Sequence, residues 1–165
     1  MTLDAVDRIL GQWQRERPDL DVSPMGVIGR MGKLAKHFEH AIQDTFSQFG
    51  LNVGEFDVLA TLRRSGEPYQ LSPTALFNTL MVSSGTMTHR IDQLEKAGLV
   101  KRIPDPSDRR GTLITLTPEG FNLIEKAVEA HVANEHRILS VLPQSEQELL
   151  VVLLRKLLTS FEDSR

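Results

Sequence analysis

Residues 83–117 change their hydrophobic period once, and that switch limits what the whole chain can become. Ser83-Ser84-Gly85 can cap a helix that runs to Ala97 and is stopped by Gly98. Two extended segments follow, residues 99–103 and 112–116, on either side of Pro104-Asp105-Pro106-Ser107-Asp108-Arg109-Arg110-Gly111. Such a polar, turn-rich loop between two apolar runs predicts a hairpin. Nearly everywhere else the period is helical, so the fold class expected is mainly α with a small β-wing.

The flanking segments fill in the order. Thr2 can cap a first helix with Leu3, Val6, Leu10 and Trp13 on one stripe, ended by Pro18. A long helix from about Pro24 carries a heptad-like seam of Ile28, Met31, Ala35, Phe38, Ile42, Thr45 and Phe49, broken at Gly50. A shorter helix spans residues 53–64 with Phe56, Leu59 and Ala60 inward. Tyr69-Gln70-Leu71 suits a brief strand, and Ser72-Pro73 opens a short helix through about Asn78. Thr117-Pro118 caps a long helix with Phe121, Ile124, Val128, His131, Ile138 and Leu142 inward, ended by Pro143. Ser145 with Glu148 makes a capping box for a last helix whose Leu149, Leu150, Leu153, Leu154, Leu157 and Phe161 form a broad apolar face. The expected organisation is one interwoven domain: N-terminal scaffold helices (1–50), a central region with the hairpin (51–117) and C-terminal helices (118–165).

Helix, short strand, short helix, turn, helix and hairpin is the order of a winged helix-turn-helix, whose second short helix enters the major groove. The start of that reading helix offers Ser83, Ser84, Thr86, Thr88 and His89, which can bond phosphates or base edges. Met87 or a threonine methyl could contact thymine. Arg109 and Arg110 at the hairpin tip can reach an adjacent minor groove. A solvated cluster of these arginines with Asp108 is the plainer alternative. The overall charge of −3 hides a local asymmetry. Residues 83–111 hold six Arg/Lys against four acids, whereas residues 119–165 hold five against eight. A basic surface on an acidic body is what phosphate contact requires.

Composition narrows the rest. There is no cysteine, so disulfides, thiolate metal sites and thiol redox sensing are excluded. No secretory signal is visible, and the longest apolar run, residues 149–154, is far below the roughly 20 residues of a membrane span. A cytoplasmic location is expected by default, with no cofactor. No Gly-rich phosphate loop or close acid–base motif supports an enzyme. A winged helix that binds protein instead of DNA is the remaining alternative. His37 and His40 are spaced for a metal but show no third ligand. His131 is either a satisfied core histidine or a titrating group at a dimer interface.

Leu94-Glu95-Lys96-Ala97-Gly98-Leu99-Val100, Asp105-Pro106-Ser107-Asp108-Arg109-Arg110-Gly111 and Leu116-Thr117-Pro118-Glu119-Gly120 resemble the reading-helix end and wing of the multiple-antibiotic-resistance regulator (MarR) family. Trp13-Gln14-Arg15-Glu16-Arg17-Pro18-Asp19-Leu20-Asp21, the run from Glu55-Phe56-Asp57 to Leu62-Arg63-Arg64, and His131-Val132-Ala133-Asn134-Glu135 are similar to its PecS/urate-responsive branch. The resemblance implies a homodimer held by its first and last helices. It also implies a repressor released from an inverted-repeat operator by a small anionic aromatic ligand. The branch's ligand pocket falls on Trp13, Asp57 and Arg90: a ring to stack, a carboxylate, and a guanidinium for the anion. Some urate responders carry a histidine where this chain has Val53, so indolic, phenolic and other carboxylate ligands stand beside urate.

Overall fold

The computed structural model describes residues 2–80 and 83–162. Among the described residues, seven helices and three short strands run in the order α1 (Ala5–Glu16), α2 (Ser23–Ser47), α3 (Val53–Arg64), β1 (Gln70–Leu71), α4 (Pro73–Leu80), α5 (Ser84–Lys96), β2 (Val100–Asp105), β3 (Asp108–Leu116), α6 (Pro118–Leu139) and α7 (Gln144–Glu162). The chain divides into two compact units, residues 1–44 and 45–165.

In the first unit, α1 begins two residues later than Thr2 would have it. Asp4 is the cap: its Oδ1 accepts from the amides of Val6 and Asp7, while the Asp7 carboxylate accepts from the Asp4 amide. A reciprocal carboxylate box also places negative charge at the helix N-terminus, which a threonine at position 2 could not do. Arg30 of α2 bridges Asp4 and Asp7 at 2.8 and 2.6 Å, fastening α2 to the cap of α1. Val6 and Val22 are buried, but the predicted seam of α2 is largely open, with Ile28 66% exposed.

The second unit has a continuous apolar core. Phe46 stacks on Phe56 with ring centroids 3.8 Å apart. Val58, Leu59 and Leu62 of α3 are fully buried, as is Leu76 of α4. Ala60 is only half-buried, because the inward face of α3 runs through positions 58, 59 and 62 instead. Asn52 caps α3 and exchanges hydrogen bonds with Glu55. Arg63 pairs with Glu125 of α6 at 2.5 Å and lies over the rings of Tyr69 and Phe121.

The sheet has the order β1-β3-β2, all antiparallel. Its hairpin is longer than predicted. Pairing continues through Pro104↔Thr112 to Asp105↔Asp108, with an irregularity at Pro104/Asp105, so Arg109 and Arg110 lie in β3 and not in a loop. Pro104 is tolerated because β2 is an edge strand and owes no hydrogen bond on its outer side. Asp105 closes the tip by accepting from both the amide and the hydroxyl of Ser107.

Two helix boundaries at the C-terminal end also differ from expectation. α6 stops at Leu139, where the Ser140 hydroxyl bonds the Arg137 carbonyl, three residues before the anticipated end. α7 starts at Gln144, so Ser145 lies inside the helix instead of capping it; the Pro143 carbonyl receives the amides of Glu146 and Gln147. No described residue of α7 is buried, and Leu153 is 51% exposed.

Gly120 has no room for a side chain, since a Cβ there would overlap the Leu99 carbonyl oxygen. That contact is backbone against backbone, with no rotamer to absorb it. Gly120→Ala is expected to destabilise the protein by about 1–3 kcal/mol, read as a fall in the urea midpoint; an unchanged midpoint would show that α6 can shift freely on the sheet.

Candidate nucleic-acid interface and adjoining polar cluster

The reading helix is oriented by its buried stripe. Met87, Ile91 and Leu94 of α5 recur at helical spacing and are each no more than 2% exposed. Burial of three such side chains contributes roughly 1.5–3 kcal/mol apiece. Met87 therefore belongs to the core and is not available to thymine, contrary to the sequence expectation: it shares a face with Ile91 and Leu94. Rotation of that face inward turns Ser84, Thr86, Thr88 and His89 outward, where all four are exposed.

Their hydrogen-bonding capacity is uneven. Ser83 caps α5: its Oγ accepts from the Thr86 amide at 3.2 Å and donates to Thr86 Oγ1 at 2.8 Å. Thr86 thus keeps its own hydroxyl hydrogen for an outside acceptor. Thr88 donates to the Ser84 carbonyl, leaving its lone pairs and methyl group facing out. On the wing, Arg109 and Arg110 are exposed, and no ion pair among the described residues engages either guanidinium. Asp108 accepts only the Arg110 amide, so the surface cluster of acid and arginines is not formed.

Sequence reasoning missed Arg102. From β2 it reaches Asp92 at 2.5 Å and also pairs with Glu95, while its amide donates to Glu95. Three bonds from one residue fix the wing to the reading helix, and the neighbours on α5 hold its guanidinium above its ordinary pKa, the Asp92 hydrogen bond foremost. Acids at positions 92 and 95, one turn apart, facing a basic residue on the next strand were the available signal.

Asp57, on α3, carries a carboxyl pushed up by burial; Arg90 foremost, then Arg64 and His131, pull it back. Arg90 comes from α5, and its Nη1 is buried without a hydrogen-bond partner among the described residues. His131 of α6 places Nε2 3.2 Å from Glu135 and packs its ring against Phe46 and Phe56, while its Nδ1 is likewise buried and unpartnered. The structure so brings Asp57 and Arg90 into one electrostatic cluster, and adds Arg64 and His131 to it. Trp13 belongs to the other compact unit and is 42% exposed, so it is not core within the chain. His37 and His40 lie on α2, and no group of three metal-ligating side chains occurs among the described residues. None of the described helices is long and apolar enough to cross a membrane.

A sequence model of the MarR family matches residues 51–112. The chain is 50% identical over 143 residues, 87% of its length and 85% of the relative, to the HTH-type transcriptional regulator PecS of Dickeya dadantii (strain 3937). The chain belongs to the MarR family. AbsC, a MarR family transcriptional regulator from Streptomyces coelicolor, has the same fold (TM-score 0.77, 23% identity, covering 87% of this chain and 97% of that one). BpsR of Bordetella bronchiseptica, whose DNA binding is regulated by 6-hydroxynicotinic acid, superposes with a TM-score of 0.68 at 27% identity, covering 79% and 91% of the two chains. As a MarR-family protein of PecS type, the chain is a DNA-binding transcriptional regulator and not an enzyme. In MarR terms α5 is the reading helix and the β2–β3 hairpin is the wing.

The raised Asp57 pKa has a definite sign. Folding favours the protonated carboxyl, so this group is most favourable to stability below its ordinary value near 3.8 and least favourable once pH passes its raised folded value. Asp57→Asn should therefore raise the thermal midpoint at pH 7, with a gain that shrinks as pH falls toward the ordinary carboxylate range. A lower midpoint at pH 7 would mean that the Arg90 partnership outweighs burial.

Proposed function

We propose that this regulator is a cytoplasmic homodimeric repressor, bound to an inverted-repeat operator and released by a small anionic aromatic ligand such as urate or an aromatic carboxylate. The observation that carries the ligand response is Arg90. It sits on the reading helix, yet one of its guanidinium nitrogens is buried with no acceptor. A buried donor without a partner is a standing penalty of about 1–3 kcal/mol. An anion that supplies the acceptor removes that penalty, and the bidentate fork of arginine suits a carboxylate or a urate anion. The regulation of BpsR by an aromatic acid supports the same ligand class.

The dimer is proposed from exposed apolar surface. Leu149, Leu150, Leu153, Leu154, Leu157 and Phe161 are all exposed on one helix. Contiguous surface of that kind is rarely left in water, and a second copy of the chain is the partner that symmetric operator binding requires. Sedimentation should therefore show a dimer at micromolar concentration, inseparable from folding; a stable folded monomer would overturn the proposal.

On DNA, the half-sites should lie about 10 base pairs apart, centre to centre, one turn of the duplex. Ser83, Ser84, Thr86, Thr88 and His89 would meet phosphates and base edges, with Arg109 and Arg110 in the flanking minor groove. Arg110→Ala should weaken binding across all sequences and reduce the slope of log affinity against log salt by about one. Substitution at Thr88 or His89 should change sequence preference instead. An unaltered affinity for Arg110→Ala would remove the wing from the interface.

The ligand arm is tested by fluorescence anisotropy of a labelled operator, titrated with urate and with 6-hydroxynicotinic acid. Coupling between ligand and DNA of this kind typically amounts to about 1–3 kcal/mol, or roughly 5–150-fold in operator affinity. Arg90→Ala should abolish release. Trp13→Phe, which keeps a ring but loses the indole, should blunt the response while operator binding stays near normal. Full release from both variants would show that neither residue takes part.

A further inference from the structure

Gly54 occupies the second position of α3, is buried, and has no unusual backbone angle that would call for glycine. Its conformation is ordinary helix, where alanine is the better residue. What demands glycine is space. A Cβ built at Gly54 would come within 2.5 Å of Arg90 Cζ and 2.8 Å of Nη2, and would also overlap Nε. The flat guanidinium of the reading helix thus lies directly against the bare backbone of α3. Asp57 follows Gly54 by three residues, on the same face of the helix, and Arg90 is the foremost of the charges acting on its carboxyl.

We propose that Gly54 is the positioning residue of Arg90: its missing side chain forms the seat that holds the guanidinium against α3 with Nη1 buried. The seat registers α5 against α3, because the guanidinium fills the space a side chain at position 54 would take and its Nη1 is buried there, so alanine requires the end of the Arg90 side chain to move. Arg64 and His131, the other side chains acting on Asp57, come from α3 and α6 and cannot substitute for a group carried by the reading helix. Any side chain at position 54 displaces Arg90 and, with it, the cation offered to an anionic effector; that last consequence rests on the ligand response proposed above.

The test is a double-mutant cycle on the full-length protein with Gly54→Ala, Arg90→Ala and the pair together. Three readouts are taken: the thermal midpoint, the arginine Nε–H resonance of Arg90 (identified by its loss in Arg90→Ala), and release of operator by urate. With Arg90 present, Gly54→Ala should lower the midpoint, move the Arg90 resonance, and shift the urate concentration for half-release at least tenfold. With Arg90 already replaced, the same substitution should raise the midpoint, because a helix gains alanine and nothing is left to clash. Equal effects of Gly54→Ala in both backgrounds, or an unmoved Arg90 resonance, would overturn the seat. Should Gly54→Ala alone fail to fold, a folded double variant supports the proposal and an unfolded one refutes it. If Arg90→Ala still releases DNA with urate, the part of Arg90 in the ligand response falls, and the background dependence of the midpoint decides the seat independently.

Discussion

The burial of Met87, Ile91 and Leu94 sets the orientation on which the rest of the second unit depends. A helix can bury only one stripe, and once this one is committed to the core the opposite face must be presented to solvent. Thr86, Thr88 and His89 are thereby displayed, and the hydroxyl bonds of Thr86 and Thr88 run to Ser83 and Ser84 at the start of the same helix. The wing is registered to the same helix from the other side, through Arg102 on Asp92 and Glu95. At the base, Thr117 donates to the Gly98 carbonyl while capping α6, so the ends of the reading helix, the wing and the following helix meet at one hydroxyl.

On the proposed reading, this arrangement puts two functions on one element. The N-terminal turns of α5 face outward, while Arg90, a turn further on, is folded back toward α3 and Asp57. Whatever engages Arg90 acts on the position of the helix that reads DNA, with no relay of intervening side chains. The strength of such a switch is limited by the difference in affinity between its two states. A cation already seated and short of one acceptor needs little rearrangement to bind an anion.

Much of the fold was legible because it is written in periodicity and in punctuation. The apolar stripes, Pro73 and Pro118 at helix starts, and the glycines at positions 50 and 98 with positive φ located nearly every element. The misses have separate physical causes. Asp4 outcompetes Thr2 because a carboxylate can both accept two amides and face the helix dipole. Pro104, read as a loop residue, is accommodated on an edge strand, so the wing extends to Asp105 and Asp108. Met87 looked like a surface contact because the stripe it joins is polar on both sides of it. Of the polar cluster, Asp57 and Arg90 came from family resemblance; the role of Gly54 depends on the approach of segments 36 residues apart in sequence, which no local pattern encodes, whereas Arg102 was signalled by the acids 7 and 10 residues before it.

On the proposed function, the outward face of α5 and the tip of the wing form one DNA-binding surface. Hydrogen–deuterium exchange with and without a duplex selected by the protein from a random pool tests it directly. Exposed amides at residues 83–89 and 106–111 should gain protection together when the duplex is added, while those of α6 stay unchanged. Protection confined to other elements, or to only one of these two segments, would contradict the account.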